Sequence, residues 1–104
     1  MHCTPHIIAA ALILVLSCFG SAASAQDQAE AGEALYDEHC ASCHGEKLRS
    51  AGVMPDLRQL GPGDRPRFDQ AVLDGRGQMS AWRGVLSEQQ LDQLWTYVRS
   101  RTAR

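Results

Sequence analysis

Apolar and polar positions alternate at helical spacing in three stretches of this chain, after one continuous apolar run near its start. That run, Ile7 to Leu16, carries no charge and is too short for a membrane span, which needs about 20 residues. Between Glu30 and Cys40, Ala31, Ala34 and Leu35 share a face with Tyr36 beside them, while Glu30, Glu33, Asp37 and Glu38 fall opposite, which predicts a helix. Residues 26–29 read as a frayed terminus ahead of it. Gly32 costs this helix stability, and tight packing against another helix would explain it. Residues 45–66 hold four glycines and three prolines and read as loop, with a short turn near Leu57 to Leu60. Asp64 is expected to cap a second helix starting at Pro66, with Phe68, Ala71 and Val72 on one face and Gly75 as its stop. Residues 75–84 are irregular around Met79. The last helix opens on a Ser87–Gln90 capping box and presents Leu91, Leu94, Trp95 and Val98. Nothing alternates as a strand, so the expected fold class is all-α with long loops.

The apolar run changes the domain boundary. It ends in small residues, and Ala23-Ser24-Ala25 is an A-x-A cleavage signal before Gln26. Residues 1–25 therefore read as a secretory signal peptide and 26–104 as the domain, which places the protein in the periplasm or an equivalent exported compartment. The segment before the run, Met1 to His6, has two histidines but no Lys or Arg, a poor match to a signal. An uncleaved anchor and a lipidated Cys18 after Val15-Leu16-Ser17 are competing readings, the second weakened by Leu16 at its position.

Charge adds little. All 22 acidic and basic residues follow position 25, and the net charge of −2 gives no reason to expect nucleic-acid binding. Acidic residues come first, from Asp27 to Glu46, and arginines dominate later. An acidic patch of this kind would steer a basic partner. Acids near a helix start and bases near a helix end complementing the helix dipole is the better supported reading.

The chemistry concentrates in Cys40-Ala41-Ser42-Cys43-His44. Cys-x-x-Cys-His is the attachment motif of a c-type haem: two thiols one helical turn apart form thioethers to the vinyl groups, and the histidine becomes an axial iron ligand. Cys3 and Cys18 would leave with the signal, so no disulfide framework remains. The 79 residues left of 104 make a marginal core, and a haem would supply an apolar body to wrap. A structural zinc would want a fourth ligand, and a thioredoxin-like pair would want a strand–helix context. His39, Met54 and Met79 are candidates for the second axial position. His39 sits on the same helix as the motif, and Met54 follows too soon after His44 and is stiffened by Pro55. Met79, in a glycine-flanked loop beyond an intervening helix, is the expected ligand, against the alternative that it is core packing.

With these residues in place, the chain resembles a class I cytochrome c over nearly all of residues 26–104. The resemblance rests on Gly32-x-x-Leu35-Tyr36, Cys40-Ala41-Ser42-Cys43-His44-Gly45, Pro55-Asp56-Leu57-Arg58, Phe68-x-x-x-Val72-Leu73-x-Gly75, Gly77-Gln78-Met79 and Leu94-Trp95-x-Tyr97-Val98. Within that class it is most similar to the haem domain at the C-terminus of quinohaemoprotein alcohol dehydrogenases. The resemblance implies that Pro55 offers its carbonyl to the second nitrogen of His44 and that Arg58 bonds a haem propionate. It also implies that Trp82 lines the haem pocket, and that Gly32 and Tyr36 pack the first helix across the last near Leu94 and Trp95. A solvated Arg58 and a merely space-filling Trp82 are the plain alternatives. Ser80 stands where the family often has proline after the methionine, which would loosen that loop.

The expectation is a non-enzymatic, monomeric electron carrier with one haem c. It would pass one electron at a time between a dehydrogenase, such as a quinoprotein alcohol dehydrogenase, and a downstream cytochrome or terminal oxidase. A fixed haem-bearing subunit of a dehydrogenase complex is the main alternative, and a haem sensor or peroxidase with a labile Met79 is a third.

Overall fold

The computed structural model describes residues 23–50, 52 and 54–102, so most of the expected signal segment lies outside the described residues. The chain is all-α: α1 (Ala25–His39), α2 (Ala41–His44), α3 (Arg65–Asp74) and α4 (Glu88–Ser100), with short 3₁₀ turns at Glu46–Leu48, Leu57–Gln59 and Pro62–Asp64. Among the described residues there is no extended strand, only isolated bridges at Arg76–Met79 and Arg83–Leu86.

α1 begins five residues before the expected start at Glu30. Ser24 caps it, its Oγ accepting from the Asp27 N–H at 3.1 Å and its own N–H donating to Asp27 Oδ2 at 3.4 Å. Two otherwise orphaned donors are thereby satisfied, which carries the helix through residues 26–29.

The buried face of α1 also differs from the expected one. Gly32 and Tyr36 are buried, whereas Ala34 is exposed and Ala31 and Leu35 are only half-buried. The cause is the crossing with α4. A Cβ on Gly32 would lie 1.9 Å from the Gln93 carbonyl oxygen and 2.8 Å from Tyr97 Cβ, so the two backbones meet where α1 has no side chain. Tyr36, one turn further on, packs its ring 5.4 Å from that of Tyr97. Gly32 thus meets Gln93 and Tyr97, and Tyr36 meets Tyr97; Leu94 is buried in the same core, whereas Trp95 faces elsewhere.

α4 opens on the expected box, with Ser87 Oγ accepting from the Gln90 N–H at 3.1 Å and Gln90 Oε1 from the Ser87 N–H at 2.9 Å. Leu91, Leu94, Tyr97 and Val98 are buried, and Trp95 is half-buried. Trp95 instead packs on Phe68 of α3, ring centres 5.0 Å apart, with the Arg65 and Arg99 guanidinium groups each 5.9 Å from its ring centre. Arg65 bridges α3 to α4 by pairing with Asp69 at 2.6 Å and Asp92 at 2.5 Å.

α3 starts at Arg65 with Pro66 in its first turn, and Phe68 and Val72 are its buried residues. Asp64 makes no side-chain cap on it. Its carboxylate accepts from the Gly61 N–H at 2.8 Å and closes the preceding turn instead. Leu60, after the Leu57–Gln59 turn, is buried, and its carbonyl accepts from Arg99 of α4 at 2.5 Å. The core formed by these contacts takes in Tyr36 of α1, one turn before the cysteine motif.

Candidate haem-attachment site

The motif straddles a break between two helices. Cys40 closes α1, its N–H donating to the Tyr36 carbonyl at 2.8 Å, and its carbonyl accepts from the His44 N–H at 2.9 Å to open α2. Its backbone (φ −120°, ψ −34°) bends the chain at that point. Gly45 ends α2 at φ +85°, and a Cβ there would lie 2.0 Å from the Arg49 carbonyl oxygen. Only glycine makes this reversal without strain. Tyr36 pins the reversal from the α1 side: its hydroxyl donates to the Gly45 carbonyl at 2.7 Å. Sequence reasoning assigned Tyr36 to packing alone and missed this bond. The signal available was its position four residues before Cys40, one turn from the motif.

Both cysteines are free thiols, Cys40 half-buried and Cys43 exposed. Burial, with a smaller contribution from Cys43, pushes the Cys40 thiol up to about 11, so it is a protonated thiol at neutral pH. His44 is half-buried, and burial lowers its pKa, which favours the neutral imidazole that can donate a lone pair to a metal. Its Nδ1 is buried and has no hydrogen-bond partner among the described residues. The bond from His44 to the Pro55 carbonyl, implied by the resemblance, is therefore not formed between these residues. Pro55 itself is exposed, and the loop before it closes locally, Ser50 Oγ donating to the Met54 carbonyl at 2.9 Å.

Arg58 is also engaged locally. Its Nε and Nη2 donate to the two oxygens of Asp56 at 3.0 Å each, a fork that holds the Asp56 carboxyl below the usual carboxylate range. The expected propionate contact would compete with this pair.

Met79 is half-buried at the end of a tight turn in which Arg76 and Met79 exchange backbone hydrogen bonds of 3.2 and 3.0 Å. Gly75, at φ +78°, lets the Met79 carbonyl pass within 2.6 Å of where a Cβ would be. The chain then returns along α3: the Trp82 N–H donates to the Val72 carbonyl at 2.9 Å and the Arg83 N–H to the Leu73 carbonyl at 3.0 Å. Trp82 is half-buried, and its ring lies against that of His39, centres 4.7 Å apart.

These residues fit a covalently held haem. Two thiols at this spacing suit thioether bonds to the haem vinyl groups, and a neutral imidazole and a thioether sulfur suit haem iron. Leu35, Cys40, Leu57, Leu73, Met79 and Trp82 pack on the core yet stay only partly buried, leaving apolar surface that a flat hydrophobic group would cover. Structural zinc sites gather four Cys or His ligands, whereas no three of His, Cys, Asp and Glu converge among the described residues.

Known proteins carry the same pattern. Residues 27–98 match the family described as cytochrome C oxidase, cbb3-type, subunit III. Quinohemoprotein alcohol dehydrogenase ADH IIB of Pseudomonas putida is 37% identical over 81 residues, covering 75% of this chain and 12% of that enzyme. The cbb3-type cytochrome c oxidase subunit CcoP of Azospirillum sp. is 39% identical over 95 residues, covering 81% of this chain and 32% of that subunit. The solved quinohemoprotein alcohol dehydrogenase ADHIIG from Pseudomonas putida HK5 superposes with a TM-score of 0.63 at 31% identity, over 78% of this chain and 12% of that one. This chain spans about a third or less of the length of each of these relatives. With the cysteine–histidine turn at its centre, the chain belongs to the cytochrome c family, in the group described as cbb3-type oxidase subunit III.

Proposed function

We propose that this chain is a single-haem electron-transfer protein, attached to haem c through Cys40 and Cys43, with His44 and Met79 as the axial pair. The observation that carries the reading is the turn itself: two thiols beside a half-buried imidazole held neutral, at a helix break braced by Tyr36. Bound there, haem c supplies a one-electron iron couple. His44 would offer its imidazole lone pair to the iron and Met79 its thioether, a pairing that raises the potential and denies the iron to small ligands. The half-buried apolar side chains would help exclude water from the cofactor. With haem bound, Arg58 would be the residue to reach a propionate in place of Asp56, Pro55 would be the candidate acceptor for His44 Nδ1, and Trp82 would line the pocket.

In this reading residues 1–25 direct export and are removed, and residues 26–104 work in the periplasm. They would act between a dehydrogenase and a downstream cytochrome or oxidase, without catalysis of their own. The test is an optical spectrum of the purified protein with and without carbon monoxide, repeated on Met79→Ala. Wild type should be low-spin and inert to carbon monoxide; Met79→Ala should become high-spin, bind carbon monoxide and fall in potential. An unchanged Met79→Ala spectrum would remove Met79 as ligand, and ready binding of carbon monoxide by wild type would favour a sensor or peroxidase.

A fixed subunit is the second reading, favoured by the size of the relatives, in which the matched stretch is a minor part. Stable co-purification with a large dehydrogenase or oxidase subunit would support it, and a monomer by gel filtration from native extract would count against it.

A further inference from the structure

We propose that His39 is a positioning residue for Met79, acting through Trp82. The inference rests on Met79 as the axial ligand. It starts from how the methionine segment is held. On one side the segment is tied by its main chain to the end of α3, through Trp82 to Val72 and Arg83 to Leu73, with Arg83 also paired to Asp74 at 2.8 Å. These bonds fix where the backbone runs, all of them on the α3 side of the segment. The opposing contact comes from α1: the imidazole of His39 lies against the indole of Trp82, ring centres 4.7 Å apart and planes inclined at 50°.

The placement of the two residues gives the contact its consequence. His39 is the last residue of α1 and directly precedes Cys40. Trp82 stands three residues beyond Met79. The stack therefore joins the attachment turn to the proposed ligand loop, the two segments that would each supply a ligand to the iron. His39 is itself well placed to act as a fixed wall, because its side chain is only 20% exposed, with Nε2 3.8 Å from the Glu38 carboxylate. The loop also needs such a brace: Ser80 follows Met79, where a proline would stiffen the chain.

The experiment titrates the ferric holoprotein with imidazole, which competes with the methionine thioether for the iron. His39→Ala should bind imidazole about two- to tenfold more tightly than wild type, the range expected from losing one aromatic contact. His39→Phe should restore wild-type affinity, because it replaces the ring without the titratable group. Trp82→Leu should reproduce the gain, and adding His39→Ala to it should change little further, the signature of one shared interaction. Unchanged affinity in His39→Ala, or failure of His39→Phe to rescue, would overturn the proposal while leaving Met79 as ligand. If wild type already binds imidazole as tightly as Met79→Ala, the ligand assignment fails first, and this inference falls with it.

Discussion

Replacing Gly32 by alanine tests the contact on which the fold turns. The added Cβ would sit 1.9 Å from the Gln93 carbonyl oxygen and 2.6 Å from the carbon that bears it, both backbone atoms of α4 that no rotamer change can move. Ordinary contact requires α1 and α4 to separate by roughly 1.5 Å. The separation would loosen Tyr36, Leu94, Tyr97 and Val98, each no more than 2% exposed. Overpacking of this kind costs up to about 3 kcal/mol, and alanine's better helix propensity returns about 1 kcal/mol, so the net loss should be about 2 kcal/mol. For a domain of this size that corresponds to a fall in Tm of roughly 10–15 °C. Thermal and urea unfolding of the holoprotein, followed by far-UV circular dichroism, would measure it. Gly63→Ala is the matched control: it has no positive φ and no neighbour within 4 Å among the described residues. It should be neutral or gain up to about 1 kcal/mol. The reasoning is refuted if Gly32→Ala is as stable as wild type, or if Gly63→Ala loses as much.

Two further predictions follow from the site. Burial pushes the Tyr36 hydroxyl up to about 12 from an ordinary value of 10.0, so between those values the unfolded chain releases a proton that the folded chain keeps. Its contribution to stability is complete below pH 10 and is lost as pH rises toward 12. The urea midpoint should fall across that window, and Tyr36→Phe should flatten the fall. At neutral pH the same variant should cost about 1 kcal/mol for the lost bond to Gly45; an equally steep alkaline fall would assign it elsewhere. Cys40→Ala or Cys43→Ala should leave haem held by one bond and the double variant by none, read as haem released into acidified organic solvent. Normal covalent yield from the double variant would sink the attachment claim.

What the sequence made legible is what depends on local chemistry. The Ser87–Gln90 box, the Phe68 and Val72 face and the Gly75 stop each carry their own signal within a few residues, and each stands where expected. The misplaced features depend on partners far along the chain. Apolar periodicity put Ala31, Ala34 and Leu35 inward because glycine carries no hydrophobic signal, yet at Gly32 the α4 backbone comes too near to leave room for a Cβ. Tyr97 was passed over in the α4 face for Trp95, although Tyr97 is 2% exposed and Trp95 is shared between Phe68 and two arginines. Asp64 has a capping residue's chemistry, but Gly61 offers the nearer donor. Pro55 and Arg58 came from family resemblance, and their neighbours here, a closed loop and Asp56, could not be foreseen from spacing.

The Ser24 cap has a consequence for the order of maturation. Ser24 and Asp27 lie on opposite sides of the Ala25–Gln26 bond proposed as the export cleavage point, and the two residues hold the first turn of α1 by mutual bonds. A peptidase takes its substrate extended, so the cut must come before the helix winds through that bond, or the first turn must open to admit it. If cut there, the chain would lose its cap, at a cost of about 1 kcal/mol, and gain a charged amine at the positive end of the helix. The first turn should then unwind toward Glu30. The longer helix would thus belong to the uncut chain, and the shorter one, closer to the boundary read from the sequence, to the mature protein.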